Sequence, residues 1–167
     1  MDRLVEDTIF GEIRTMKRTL ILGLGNPILS DDAVGIRTVE KIEKLVGKKD
    51  GIDYVKDSVA GLRILDIING YDKLIIVDAV EKGGKPGTLY KIPLSELDAT
   101  IHLTSLHSIN FAAAIKWGKE MGFKIPEDIS IYGIEIIDVV NFSEKMTPEV
   151  QNSVERNALK IAGMEFR

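Results

Sequence analysis

The stretch that decides the fold runs from Leu20 to Gly35 and reads LILGLGNPILSDDAVG. The segment Thr19–Leu22 is apolar and β-prone without alternation, which is typical of a strand covered on both faces in a parallel sheet. Gly23 and Gly25 allow a tight turn or a close approach of the backbone to a ligand. Apolar residues then recur at helical spacing over 36–46. The stretch is therefore predicted to form a strand, a turn and a helix.

Two neighbouring carboxylates, Asp31 and Asp32, follow this turn. Ser30 or Asp31 is predicted to cap the helix, and Asp32 falls near its first turn. Acids at a helix N-terminus are favoured by the helix dipole in any protein, so one of the two is expected to have only that structural role. Both would lie just beyond the carboxyl end of a central strand, where open α/β sheets usually bind ligands.

The rest of the chain alternates predicted strands with predicted helices. The apolar run at 74–77 predicts a second central strand, and residues 88–92 predict an edge strand closed by Pro93. Further strands are predicted at 52–56 and 129–136, and helices at 108–121 and from Pro148 to Gly163, whereas 95–104 is predicted to be irregular. The fold class is therefore α/β, with a twisted, mostly parallel sheet of about five strands, helices on both faces and an antiparallel edge strand.

Composition limits the classes of function. A chain of 167 residues with 44% hydrophobic residues predicts one domain, here 19–167, preceded by an extension at 1–18 that either packs or is disordered. The sequence has no cysteine, which excludes disulfides, thiolate ligands and a cysteine nucleophile. No segment resembles a membrane span or a signal peptide, and a net charge of −4 with interspersed signs argues against nucleic acid as a partner.

Three residues at distant positions form a candidate metal site. Asp78 ends the central strand, where a carboxylate either binds a ligand or satisfies loop amides. The sequence has two histidines, His102 and His107, and His107 directly precedes the predicted helix at 108–121. A histidine at that position is either functional, as a metal ligand or a general base, or simply a solvated residue. Asp32, Asp78 and His107 are predicted to converge at one sheet edge, where their oxygen and nitrogen donors would suit nickel, zinc or manganese.

Two other kinds of site receive less support from the motifs. The Gly23-x-Gly25 pair suggests a dinucleotide site with Asp57 on the ribose, but the fingerprint requires a third glycine where Ile28 stands. A serine nucleophile of the G-x-S-x-G type is absent from the sequence.

The ordered motifs from Gly23 onward resemble those of the hydrogenase maturation proteases, the endopeptidases that trim the C-terminal tail of the nickel-iron hydrogenase large subunit. The similarity covers nearly everything from Thr19 on and says nothing about the residues before it. The segments that carry it are Gly23–Gly35, Ala60-Gly61, Leu74–Val80, Gly87-Thr88-Leu89, Ser105-Leu106-His107, Tyr132–Glu135 and Phe142–Val150.

The resemblance implies a function in concrete terms. It assigns Asp32, Asp78 and His107 as the metal-binding and catalytic triad, with Asp32 standing where some members have glutamate. It implies that the client is a large-subunit precursor already holding nickel, and that this nickel is the recognition element, whereas a resident metal is not implied. The expected enzyme is a cytoplasmic endopeptidase, a monomer or weak homo-oligomer, without membrane or nucleic-acid partners.

Two alternatives come from other functional classes. A non-proteolytic nickel-binding assembly factor could use the same three residues. The stretch Gly23–Pro27 also resembles the opening of peptidyl-tRNA hydrolases, but those continue with an Arg-His-Asn element, whereas Ser30-Asp31-Asp32 follows here. A tRNA substrate would also favour a basic groove.

Overall fold

A computed structural model describes residues 16–58, 62–104 and 110–167 of the chain. Most of the extension predicted at 1–18 lies outside the described residues, and His107 also lies outside them. The strands are β1 (Thr19–Leu24), β2 (Ile52–Asp57), β3 (Lys73–Val80), β4 (Leu89–Lys91) and β5 (Asp128–Glu135). The α-helices are α1 (Val34–Val46), α2 (Arg63–Ile68), α3 (Ile101–Thr104), α4 (Phe111–Glu120) and α5 (Pro148–Glu165), and 3-10 turns occupy Ser30–Ala33 and Leu97–Ala99.

The five strands form one sheet in the order β2-β1-β3-β5-β4. The first four are parallel neighbours, and β4 pairs antiparallel with β5 at the edge. Because β1 and β3 have neighbours on both sides, their backbone amides are paired within the sheet, which suits their continuous apolar sequences. The predicted mostly parallel sheet with an antiparallel edge strand is confirmed.

Helices cover both faces of the sheet, so the domain has three layers. On one face, Leu20, Leu22 and Leu74 pack with residues of α2 and α4 such as Ile64 and Phe111. On the other face, the alternate strand residues pack with α1 and α5; they include Ile21, Ile75 and Val77, together with Val39, Ile42, Val150, Val154 and Ile161 from the helices. Because side chains alternate along a strand, a run of apolar residues supplies both cores.

The start of α1 lies unusually close to the ends of two strands. A Cβ atom added to Gly35 would lie 2.3 Å from the carbonyl oxygen of Leu24 and 2.4 Å from that of Val77, so no larger residue fits without a backbone shift. A Cβ on Gly25 would lie 2.2 Å from the carbonyl oxygen of Asp32. These two glycines therefore let the 3-10 turn and α1 pack directly on the carboxyl edge of the sheet.

Several predicted boundaries differ from the structure. The segment 95–104 was predicted to be irregular, but it contains a 3-10 turn and the one-turn helix α3. Helix α4 begins at Phe111 with Asn110 as its cap, whose side chain accepts from the Ala113 amide at 2.8 Å. Helix α5 passes Gly163 and ends at Glu165, where the Glu165 carboxylate has partners on two strands.

At the amino edge of the sheet, Glu165 closes α5 onto the strands. Its side chain is buried, forms an ion pair with Lys73 at 2.7 Å and accepts a hydrogen bond from the Tyr132 hydroxyl. Burial raises the pKa of Glu165, but the hydrogen bonds from Lys73, Tyr132 and Ser130 outweigh it and hold the pKa below its usual 4.5. None of the helices within the described ranges is long and apolar enough to cross a bilayer.

The lowered pKa predicts how stability changes in acid. A group with a depressed folded-state pKa contributes stability above its unfolded pKa, and that contribution is lost as pH falls through the folded value. We expect Glu165→Gln to lower the free energy of unfolding by about 1–2 kcal/mol at neutral pH, with the difference shrinking below pH 4.5. Urea unfolding from pH 7 to pH 3 measures this. The control is Glu155→Gln, which removes an exposed partner of Lys41 and should change stability little.

Candidate active site

The candidate site lies at the carboxyl edge of the sheet, between the ends of β1 and β3. Asp32 is in the 3-10 turn that follows β1, and Asp78 is in β3. Gly23 of β1 is opposite Val77 of β3, so the two segments leave the sheet side by side. The predicted convergence of Asp32 and Asp78 follows from this register.

Asp78 is fully buried and accepts four hydrogen bonds. Its Oδ1 accepts from the Ala79 amide at 2.8 Å and from Nδ1 of His102 at 2.6 Å. Its Oδ2 accepts from the backbone amides of His102 at 2.9 Å and Leu103 at 3.4 Å. A buried carboxylate needs such partners because leaving it unpaired in the interior is costly.

Asp32 is also buried, but its two oxygens differ. Its Oδ2 accepts the Asn26 amide at 2.9 Å and lies 3.3 Å from Nε2 of His102. Its Oδ1 is buried without any hydrogen-bond partner among the residues that the structure describes. The Asn26 amide is therefore engaged by Asp32.

His102 lies between the two acids, with one ring nitrogen facing each of them. A bridge between Val80 and Thr100 in antiparallel register explains this position, because the same register continued by two residues places His102 opposite Asp78. Burial lowers the pKa of His102, but the hydrogen bonds and charges of Asp32 and Asp78 outweigh it and raise the pKa to about 10. The ring therefore carries a proton on both nitrogens at neutral pH.

The histidine predicted from the sequence for this site is His107. His107 lies outside the described residues, so its predicted place beside Asp32 and Asp78 stays a prediction. The sequence does not predict His102 at the site, because it predicts irregular chain where α3 forms, and the one signal for His102 is that the sequence has two histidines. Over the ranges described, no group of three or more His, Asp or Glu side chains is arranged to hold a metal ion, since the His102 ring separates the two acids.

Asp31 has a different role from that of Asp32, and it does not act as the predicted helix cap. Neither Ser30 nor Asp31 caps a helix with its side chain. The Asp31 carboxylate instead accepts from the amides of Ile137 at 3.1 Å, Asp138 at 3.0 Å and Thr147 at 2.7 Å, and from the Thr147 hydroxyl at 3.0 Å. It thereby fixes the loop after β5 and the start of α5 to the site, which is a different structural role from the predicted capping of the helix.

Comparisons with known proteins identify the family. A family model described as hydrogenase maturation protease matches residues 36–163. The chain is 30% identical over 140 residues to the hydrogenase 2 maturation protease of Escherichia coli, covering 83% of this chain and 84% of that protein. It is 27% identical over 139 residues to the hydrogenase expression/formation protein HupD of Rhizobium leguminosarum, covering 82% and 68%.

Solved structures agree with this result. The hydrogenase maturating endopeptidase HybD of Escherichia coli superposes with a TM-score of 0.73 at 25% identity, over 88% of this chain and 91% of that one. The protease HycI of Thermococcus kodakarensis has the same fold, with a TM-score of 0.69 at 23% identity over 97% and 98%. The chain belongs to the hydrogenase maturation protease family. It is accordingly an enzyme, an endopeptidase of hydrogenase maturation.

The contacts of the two neighbouring acids predict opposite outcomes for the same substitution. In Asp31→Asn, either orientation of the amide turns an NH2 group toward backbone N–H donors, so we expect a loss of about 2–4 kcal/mol in unfolding free energy. In Asp32→Asn, the NH2 group can take the place of Oδ1. Among the described residues no N–H or O–H group donates to Oδ1, so the NH2 group would not face another donor there. That variant should stay within about 1 kcal/mol of the parent chain. Denaturant unfolding compares them, and equal losses would contradict the assignment.

Proposed function

We propose that this endopeptidase removes the C-terminal extension of the large-subunit precursor of a nickel-iron hydrogenase, using the nickel held by that precursor as its recognition element. The family match supports processing in hydrogenase maturation. The observation that carries the nickel step is the buried Oδ1 of Asp32, which has no hydrogen-bond partner among the described residues. The family match also favours a protease over the assembly-factor and tRNA-hydrolase alternatives.

The donor atoms at this edge are chemically suited to nickel. Carboxylate oxygen and imidazole nitrogen bind first-row divalent ions, and the sequence offers no competing thiolate. The metal-binding triad taken from the resemblance is Asp32, Asp78 and His107, and it remains part of the proposal. The nickel enters with the client, so it is treated as part of the substrate.

Binding of the client's nickel would place the scissile peptide bond beside Asp32. A nickel ion held there can polarise the peptide carbonyl or lower the pKa of a nearby water. Asp32 contributes a carboxylate oxygen that no described donor occupies, so it is suited to orient the water or accept its proton. Holding the scissile peptide bond in one geometry would by itself account for part of the acceleration of its hydrolysis.

An exposed apolar surface next to the site is suited to a polypeptide client. It consists of Ile28, Ile137, Val140 and Phe142, the last two being 81% and 82% exposed. The loops that carry them are joined by backbone hydrogen bonds, from the Ser143 amide to Ile28 at 2.9 Å and from the Ser30 amide to Ser143 at 2.8 Å. We call these four residues the apolar rim, and we propose that it contacts the client precursor in the cytoplasm, with the enzyme acting as a monomer or weak homo-oligomer.

The dependence on nickel is tested with two forms of the precursor. Purified precursor loaded with nickel should lose its C-terminal extension on incubation with the enzyme, because the ion positions the cleavage site. Precursor prepared without nickel should remain at its original mass. Intact-mass spectrometry reads both reactions, and equal cleavage of the two forms would contradict recognition through nickel. Asp32→Asn should leave the loaded precursor uncut.

The apolar rim is tested by one substitution and a matched control. Phe142→Ser should raise the KM for the loaded precursor about tenfold and change kcat little, since a buried aromatic contact contributes about 1–3 kcal/mol to binding. The control is Met121→Ser, which alters an exposed apolar residue at the end of α4. The chain continues from there to Lys124, whose ammonium pairs with Asp72 just before β3, at the amino edge of the sheet. An unchanged KM for Phe142→Ser would place the client elsewhere.

A further inference from the structure

A surface cleft at the edge of the sheet carries charges that the cleavage mechanism does not use. It lies between α5 and the loop that leads into β4, and its volume is about 400 Å³. We propose that this cleft binds an acidic segment of the client precursor, away from the bond that is cut. The inference rests on the proposed function, because it adds a second contact area for the same client. Three cationic side chains line the cleft, and we call them the basic cleft: Lys85, Arg156 and Lys160.

The loop that forms one wall of the cleft is fixed tightly against α5. Gly87 has a φ of +82°, and a Cβ atom there would lie 2.6 Å from the Cβ atom of Ser153, so the contact requires glycine. The Gly87 carbonyl oxygen accepts from Nδ2 of Asn157 at 3.0 Å and from Nη2 of Arg156 at 3.3 Å. The Gly87 amide donates to the Glu135 carbonyl oxygen at 2.8 Å. The wall is therefore formed before a ligand arrives, which lowers the entropic cost of binding.

The charges in the cleft favour an anionic ligand. The chain as a whole has a net charge of −4, yet the cleft has three cationic side chains and one acidic one, Glu149. None of the ion pairs found in the described ranges involves the basic cleft. Arg156 and Lys160 are four residues apart on α5, so two like charges lie on the same face of the helix and repel each other. A carboxylate bound between them would remove that repulsion.

The cleft also offers a hydrogen-bond acceptor, which favours a peptide over a simple anion. Asn157 lines the cleft and is 1% exposed, and its NH2 group donates to Gly87. Its Oδ1 has no donor in the part of the chain that the structure describes. A buried amide oxygen without a donor is costly. An acidic peptide brings backbone N–H groups together with its carboxylates, whereas sulfate or a carboxylate ion brings acceptors alone.

Helix α5 connects the cleft to the candidate active site. The Thr147 amide, which immediately precedes α5, donates to Asp31 at 2.7 Å. At 1.5 Å per residue, Arg156 lies roughly 14 Å further along the helix. A protein interface of ordinary size covers about 800 Å² of each partner, which corresponds to a patch roughly 30 Å across. One bound precursor can therefore contact both the reactive edge and the basic cleft.

Charge reversal with a matched control tests the basic cleft. In the described ranges no carboxylate pairs with the ammonium groups of Lys85 and Lys160, so Lys85→Glu/Lys160→Glu should retain the fold. We expect its KM for nickel-loaded precursor to rise at least about fivefold while kcat stays within about twofold, because these charges act in binding rather than in bond cleavage. Added salt should raise the KM of the parent enzyme more steeply than that of the variant.

The control is Lys116→Glu/Lys119→Glu, which gives the same net charge on α4, at the other face of the sheet. Its KM should stay within about twofold of the parental value. Equal KM values for the two double variants would overturn the proposal. If the reversal at the cleft lowers the melting temperature, Lys160→Gln removes one charge without adding another and should still raise KM about twofold. An unchanged KM for Lys160→Gln would then overturn the proposal.

Zero-length cross-linking identifies what occupies the cleft. A carbodiimide joins a lysine amine to a carboxylate in contact with it as an amide. Asp32→Asn enzyme, which should leave the loaded precursor uncut, is treated with the reagent in the presence of that precursor, and the digest is read by mass spectrometry. Lys85 or Lys160 should be joined to an Asp or Glu of the precursor. Cross-links from these lysines only to a second copy of the enzyme, or none at all, would overturn the proposal.

The outcomes separate the basic cleft from the proposed function. Loaded precursor that the parent enzyme leaves uncut would contradict both. Nickel-dependent processing with the parental KM in Lys85→Glu/Lys160→Glu would leave the proposed function standing and contradict the role of the basic cleft.

Discussion

The arrangement of the site depends on how closely the first helix approaches the sheet. Gly35 touches the carbonyl oxygens of both Leu24 and Val77, which belong to adjacent parallel strands. This contact sets the position of the turn that carries Asp32 relative to Asp78, which lies within β3 near its carboxyl end. Because the space for a Cβ atom is absent, the two carboxylates are brought together by backbone packing rather than by attraction between their side chains, which have the same charge.

That packing places several polar groups in an interior that would otherwise exclude them. Asp78 is stabilised by backbone amides and by His102, and Asp31 by amides from a distant loop and from α5. Each contact to a charged group contributes on the order of 1.5–3 kcal/mol, which offsets the desolvation of the carboxylates. Only Asp32 is left with an unpartnered oxygen among these acids in the described ranges. Of these three acids, Asp32 is therefore the one with an oxygen free to contact a substrate or a metal ion.

The sequence predicts the architecture well because the dominant signals are local. The apolar runs at 20–22 and 74–77 identify the central parallel strands, and Pro93 identifies the edge. The convergence of Asp32 and Asp78 follows from the rule that ligand sites lie at the carboxyl ends of such strands. The family resemblance, confirmed by the family match, added the function that the spacing alone could not supply.

What the sequence could not show depends on tertiary register. The place of His102 follows from an isolated bridge between Val80 and Thr100, which leaves no periodic signal. The different tasks of Asp31 and Asp32 are equally hidden, because both acids fit the expected composition of a helix start. Asp31 is distinguished only by partners more than one hundred residues away in the chain.

Those distant partners have a mechanical consequence. Asp31 ties the Ile137–Asp138 backbone to the peptide unit immediately before Asp32, and the loop so tethered leads on to Phe142 within four residues. The loop that carries Phe142 is thus joined to the turn that carries Asp32 by a short path, which runs through the hydrogen bonds of the Asp31 carboxylate. The position of the loop that carries Phe142 and the position of the turn that carries Asp32 are therefore coupled.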